Sequence, residues 1–173
     1  MKSFLLSLAF SALAVTATAE PLKVTVTPVT VQIADDELFC LAQNIYFEGR
    51  NQDDRAMVAI GQVTINRQLS SSFPDTICDV VQQGPLDGSA MTRHRCQFSW
   101  YCDGKSDVVP VNQDYAEVKA WERAQAIAHY VFYVAEHDIT AGSTYYHANY
   151  VEPFWVASME LVAEVGSHLF YVN

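Results

Sequence analysis

The spacing of apolar residues divides the chain into extended and helical stretches. Residues 20–33 alternate valine with polar residues (Val24, Val26, Val29, Val31) around Pro28, the pattern of an edge strand or an extended leader. Asp35 or Asp36 can cap a helix in which Leu38, Leu41, Ala42 and Ile45 recur at helical spacing, with Gly49 as its stop. A second helix is predicted from Asp53 or Asp54 through Met57, Ile60, Val63, Thr64 and Arg67, ended by Ser70-Ser71-Ser72-Phe73-Pro74. A short helix follows at Thr76 to Gln82. Asp114 to Glu136 is the longest, with Tyr115, Val118, Trp121, Ile127, Tyr130, Val131 and Val134 on or near one stripe.

Residues 84–112, rich in Gly, Pro, Asp and Ser, form a long loop. Loops longer than about 12–15 residues are usually functional or disordered, and here a strand-like fragment, Gln97-Phe98-Ser99-Trp100, stands between two cysteines, which favours function. Beyond the longest helix, Gly142 opens an extended aromatic piece, Thr144-Tyr145-Tyr146-His147. The chain closes on Val162 to Val165, Gly166 and His168-Leu169-Phe170-Tyr171-Val172. No internal repeat, linker or low-complexity run interrupts these elements. The pattern predicts one α+β domain, mostly helical with a small β element.

Composition bears on compartment and partner. Lys2, the apolar run Phe4 to Val15 and the small residues Ala17-Thr18-Ala19 read as a secretory signal cut near Ala19. The run is shorter than the roughly 20 residues a transmembrane helix needs, so no stable membrane insertion is expected. Domain boundaries follow: a signal at 1–19, an extended leader at 20–37 and a folded domain at 38–173. Removing residues 1–19 leaves 154 residues with 9 basic and 20 acidic side chains, a net charge of −11. That balance argues against nucleic acid, whose phosphates demand a basic face. The expected state is a secreted or periplasmic monomer.

Export sets the reading of the cysteines. Cys40, Cys78, Cys96 and Cys102 form an even set in an oxidising compartment, so disulfides are the expectation. Spacing does not choose among the three possible pairings. Cys96 and Cys102 are expected to anchor the long loop, either to each other or to Cys40 and Cys78. No Cys-x-x-Cys occurs, which weakens a redox or structural zinc site.

The stretch Ile45-Tyr46-Phe47-Glu48-Gly49-Arg50 carries the strongest chemical signal. Apolar neighbours desolvate a carboxylate, and the partial negative charge at a helix C-terminus opposes its ionisation. A carboxylic acid kept protonated near neutral pH is what a general acid for glycosidic cleavage needs. Read alone, a Glu in the last turn of a helix is more often a solvated surface group.

A wider pattern surrounds it. Cys40-Leu41-Ala42-x-x-Ile45-Tyr46-Phe47-Glu48-Gly49-Arg50, Gly61-Gln62-Val63-x-x-Asn66-Arg67, Phe73-Pro74-x-Thr76, Gln97-Phe98-Ser99-Trp100 and Cys102-Asp103-Gly104 occur in this order. Ala120-Trp121-x-x-Ala124, His147-Ala148-x-Tyr150-Val151-x-Pro153-x-Trp155 and Gly166-x-His168-x-Phe170-Tyr171 follow. Together these blocks, spanning about residues 38–173, resemble the cell wall hydrolase family of the spore-cortex-lytic SleB/CwlJ type. The resemblance implies a peptidoglycan-cleaving domain with a lysozyme-like or lytic-transglycosylase-like fold, with Glu48 as the catalytic acid. Gly49 departs from the Ala more common there. The segment Gln83 to Arg95 is longer than in the shorter spore members, so their substrate preference does not carry over.

On this reading Glu48 protonates the glycosidic oxygen between N-acetylmuramic acid and N-acetylglucosamine. Ordinary glycosidases pair that acid with a second carboxylate. Asp103 is the best candidate and Glu152 the next, although Asp103-Gly104 also reads as a plain turn. A lytic transglycosylase works with one carboxylate and gives a 1,6-anhydro product. Tyr46, Gln97, Phe98, Ser99, Trp100, Asp103, His147 and Tyr150 are the candidate substrate-binding residues, with Tyr46, Phe98 and Trp100 equally readable as core. Asn66-Arg67 reads as a structural pair. His147 and His168 lack a third ligand in any zinc spacing, so no metal and no cofactor is expected. A non-catalytic peptidoglycan-binding module and a metal-dependent cell wall amidase are the rival classes.

Overall fold

The computed structural model describes residues 36–112 and 114–173. The predicted signal segment and the valine-rich stretch at 20–33 lie outside the described residues. Helix α1 (Asp36–Gly49) buries Leu38, Leu41, Ala42, Ile45 and Tyr46, the i, i+3, i+4 stripe expected of an amphipathic helix. Helix α2 (Asp54–Leu69) is capped by Asp53, whose side chain accepts from the Ala56 amide at 2.8 Å. Helix α3 (Ile77–Val81) is capped in the same way by Thr76.

Helix α4 (Tyr115–Tyr133), capped by Asp114, crosses α1 and α2. Its buried residues are Ala124, Ile127, Ala128 and Val131. The predicted stripe is therefore corrected at three positions, since Tyr115, Tyr130 and Val134 are exposed. Small residues do the packing here because the helices approach closely. A Cβ on Gly61 of α2 would stand 2.9 Å from Ile45 Cδ1 and 3.3 Å from Val131 Cγ2, which is why the α1–α2–α4 junction takes a glycine. Gly49 has a similar role: a Cβ there would meet Ile60 and Met57 at 3.0–3.1 Å, so packing as well as helix ending selects it.

Three antiparallel strands form the β element: β3 (Tyr145–Ala148), β4 (Glu160–Val165) and β5 (His168–Val172), in the order β3-β5-β4. A two-residue turn at Gly166-Ser167, with Gly166 at φ +58°, joins β4 to β5. (The two-residue strands β1, Leu86–Asp87, and β2, Ala90–Met91, form a separate miniature hairpin.) The register pairs Tyr146 with Phe170 and Ala148 with His168. Strand alternation therefore puts Tyr146, His168 and Phe170 on the face that packs on Ala59 and Val63 of α2. Tyr145, His147 and Tyr171 share the other face, with Trp155 over them.

The long loop differs from the strand-like fragment predicted at 97–100. Ser99–Cys102 is a 3-10 turn, although the polar–apolar alternation survives: Gln97 and Ser99 are exposed, Phe98 and Trp100 buried. A buried polar relay fixes the loop. Trp100 Nε1 donates to Asn44 Oδ1 at 2.9 Å, Asn44 Nδ2 to Thr64 Oγ1 at 3.0 Å, and Thr64 Oγ1 to the Ile60 carbonyl at 3.1 Å. Such a chain holds three elements in one arrangement, because breaking it strands a buried polar group.

The cysteines pair as Cys40–Cys78 and Cys96–Cys102, so the loop cysteines bond to each other. The first pair bridges 38 residues between α1 and α3, the second only 6. Loop-closure entropy then predicts unequal contributions. Replacing Cys40 and Cys78 by alanine is expected to remove about 4 kcal/mol of stability, and replacing Cys96 and Cys102 about 2 kcal/mol. Urea denaturation of the two double variants measures this, and an equal loss would contradict it.

Candidate active site

The last turn of α1 delivers Glu48 to the edge of the sheet, where Tyr146 meets it. The Tyr146 hydroxyl donates to Glu48 Oε2 at 3.0 Å. Beneath them lies Arg67 from the end of α2, only 4% exposed. Its guanidinium is enclosed by aromatic rings, 4.9 Å from the Phe98 centroid, 5.3 Å from Phe73 and 5.8 Å from Tyr145. Arg67 Nε donates to the Thr144 carbonyl at 2.7 Å, while buried Nη1 has no hydrogen-bond partner.

Burial pushes the Glu48 carboxyl above the ordinary carboxylate range, and the Tyr146 hydrogen bond and the Arg67 charge pull it back in part. Tyr146 is itself held well above the usual phenol range by burial and by Glu48, so it stays a hydroxyl donor. Burial lowers the Arg67 value, opposed by the neighbouring tyrosines and Glu48. The arrangement is a carboxyl raised by burial, beside a buried cation and a hydroxyl that both favour its ionised form.

These groups open onto a cleft of about 520 Å³, whose walls include Glu48, Arg67, Gln97, Ser99, Tyr146, His147, Tyr150 and His168. Glu48 is the one carboxylate among its lining residues. Gln97, Ser99, His147 and Tyr150 thus line the same cleft as Glu48. Four other candidates lie elsewhere. Tyr46 is fully buried, its hydroxyl bonded to Glu117 and Arg50 against α4. Phe98 is in the core beneath Arg67. Trp100 is buried and stacked on Phe47 at 4.5 Å. Asp103 sits in a turn, accepting from the Lys105 amide at 2.7 Å and pairing with the Lys105 ammonium at 3.4 Å, which holds its carboxyl below the usual range. Neither Asp103 nor Glu152 lines the cleft.

The two histidines differ. His147 Nδ1 faces the Ala148 carbonyl at 2.9 Å, which only accepts, so this nitrogen carries the proton. Nε2 then accepts from the Tyr171 hydroxyl at 3.0 Å, leaving no free lone pair on the ring for a metal. His168 Nδ1 is buried without a partner, and burial with the nearby His147 lowers its pKa.

Among the cleft residues that sequence reasoning did not select, Arg67 and Tyr146 act on the Glu48 carboxyl. Both stand inside quoted motif blocks or beside one. The polar face of α2 explains the block around Arg67. Gln62 Nε2 donates to the His137 carbonyl at 2.7 Å and its Oε1 accepts from the Ile139 amide at 2.9 Å. Asn66 Nδ2 reaches Asp138 Oδ2, Thr140 Oγ1 and the Ser143 carbonyl at 2.9–3.2 Å. With Arg67 on Thr144, these side chains fasten the segment that enters β3 and so place Tyr146.

A carboxyl raised by desolvation, set in an open cleft beside a hydroxyl and a guanidinium, is the chemical centre of this cleft. The cell wall hydrolase family model matches residues 51–171, and the chain belongs to that family. The matched stretch carries Arg67, Gln97 to Trp100 and Tyr146, and begins three residues after Glu48. Among solved structures, the catalytic domain of the Bacillus cereus SleB protein is 21% identical, covering 80% of this chain and 91% of that one, with a TM-score of 0.47. No curated protein matches the chain.

The raised Glu48 value has a consequence for stability. The folded state binds the Glu48 proton more tightly than the unfolded chain, so stability falls as pH rises from the ordinary carboxylate value, 4.5, through the folded one. Glu48→Gln removes that loss. The variant is expected to melt above the wild type at pH 7 and to lose this advantage below about pH 4. Thermal melts across that range check it, and a less stable variant at pH 7 would contradict it.

Proposed function

We propose that this cell wall hydrolase cleaves the glycan strand of peptidoglycan between N-acetylmuramic acid and N-acetylglucosamine, acting as a lytic transglycosylase. Support comes chiefly from one observation: a single desolvated carboxyl lines the cleft. A retaining or inverting glycosidase needs a second carboxylate at about 5–5.5 Å or 6.5–9.5 Å from the first. Asp103 and Glu152, the candidates for that place, stand outside the lining.

The chemistry then runs through Glu48 twice. Its proton passes to the glycosidic oxygen as the bond from C1 of the muramoyl residue to that oxygen breaks, releasing the N-acetylglucosamine end as an alcohol. Positive charge develops at C1. The carboxylate left behind accepts the Tyr146 hydrogen bond and faces the Arg67 charge. It next takes the proton from the muramoyl 6-hydroxyl, whose oxygen bonds to C1 and closes the 1,6-anhydro ring. Glu48 ends protonated, as it began. Gln97, Ser99 and Tyr150 contact the sugars from the cleft walls.

The same reading places the enzyme outside the cytoplasm. Residues 1–19 serve as a signal peptide cut near Ala19, and the mature monomer works in the periplasm without a cofactor. Two disulfides support an oxidising compartment. Among the described residues no helix is long and apolar enough to cross a membrane.

Digestion of purified sacculi with wild type and Glu48→Gln, followed by mass spectrometry of the muropeptides, tests the proposal. Wild type is expected to release anhydro-muropeptides and the variant to lose about 10²–10⁴-fold in rate or more. Hydrated reducing ends would point to a hydrolytic glycosidase instead. Free stem peptides with intact glycan would overturn glycan cleavage altogether.

A further inference from the structure

A second cavity, of about 370 Å³, adjoins the Glu48 cleft, the two sharing Phe47 and Arg50. Its other walls come from the segment after the loop disulfide: Ser106, Val108, Val109, Pro110 and Asn112. That wall is fixed. Val109 is 8% exposed and belongs to the main core cluster, and Gln43 Nε2 of α1 donates to the Asp107 carbonyl at 2.8 Å. Val108, in contrast, is 76% exposed.

Arg50 is the one charged residue lining this cavity. Its Nη1 donates to the Tyr46 hydroxyl at 3.0 Å and lies 3.3 Å from Glu117 Oε2, which sets the position of the guanidinium. Among the described residues the guanidinium's other two nitrogens make no hydrogen bond. A planar guanidinium with free donors is matched in shape and charge to a carboxylate. The site therefore combines a fixed apolar wall, a cation at its border with the catalytic cleft, and no carboxylate of its own.

Sugars alone offer such a site nothing anionic. The peptide stems of peptidoglycan do: each hangs from the lactyl ether of a muramic residue and carries small aliphatic side chains and free carboxylates. The proposed cleavage puts a muramic residue beside Glu48, so its stem leaves the cleft next to the adjoining cavity. The geometry points to a stem-peptide subsite in which Val108, Val109 and Pro110 pack against the stem and Arg50 binds one of its carboxylates. This inference rests on the glycan reading of the Glu48 cleft and deepens it: the enzyme distinguishes peptide-bearing strands from bare ones.

The test compares soluble, uncrosslinked glycan strands that keep their stems with the same strands stripped by an amidase. Wild type is expected to show a KM about three- to tenfold lower on the stem-bearing strands, a margin that shrinks at high salt. In Arg50→Gln the two KM values converge. In Val108→Asp, which sets a carboxylate in the cavity at an exposed position, the stem-bearing strands become the poorer substrate. Equal KM values in wild type, or a preference that survives both substitutions, would overturn the subsite while leaving glycan cleavage intact. Undiminished cleavage by Glu48→Gln would overturn the glycan reading itself, a separate result.

Discussion

The site depends on one buried cation. Arg67 arrives at the end of α2 already desolvated, and a guanidinium cannot shed its charge to escape that environment. It is stabilised by what surrounds it: the Thr144 carbonyl on Nε, the faces of Phe73, Phe98 and Tyr145, and the nearby carboxyl of Glu48. These groups come from four separate parts of the chain, Thr144 and Tyr145 being neighbours. The cation thus ties the loop after α2, the long disulfide-closed loop and strand β3 to the end of α1, and the cleft is the space left between them. Ring faces and a carbonyl satisfy such a cation only in a narrow range of geometries, so its burial also limits how far those parts can move.

Much of this was legible along the sequence, for identifiable reasons. Helices α1 and α2 follow from apolar spacing, and α2 also from the cap at Asp53, which are local signals. Glu48 stood out because its neighbours Ile45, Tyr46 and Phe47 are apolar and because a motif surrounds it. The exposed end of α4 was not legible: Tyr130 and Val134 lie near the same stripe as Ile127 and Val131, but no element among the described residues covers them. Periodicity gives a face and says nothing of where its partner ends.

The site shows the same boundary more sharply. Gln97, Ser99, His147 and Tyr150 could be chosen because polar or amphipathic residues in motif blocks tend toward the surface. Phe98 and Trp100 alternate with them and fill the core, the ordinary behaviour of aromatics between polar neighbours. Tyr46 precedes Glu48 by two positions, and on a helix two positions turn the side chain well away from the catalytic face. Tyr146 and Arg67 are read only from the fold. Tyr146 is 98 residues from its carboxylate partner, and nothing near it in sequence signals the pairing. Arg67 looked structural because it is; the fold makes the same buried group part of the cleft wall.

In the proposed reaction, that double role lets one carboxylate serve first as acid and then as base. Desolvation alone would hold the Glu48 proton too firmly, since the carboxylate formed on release would be buried without a partner. Arg67 and the Tyr146 hydroxyl together offset that penalty, and both oppose the effect of burial on Glu48. In that reaction burial favours the protonated acid before the bond breaks, and the cation with the hydroxyl stabilises the carboxylate afterwards. Their separate attachments, Tyr146 to the sheet and Arg67 to α2, fix both before substrate arrives, so the proton can leave and return without the protein rearranging.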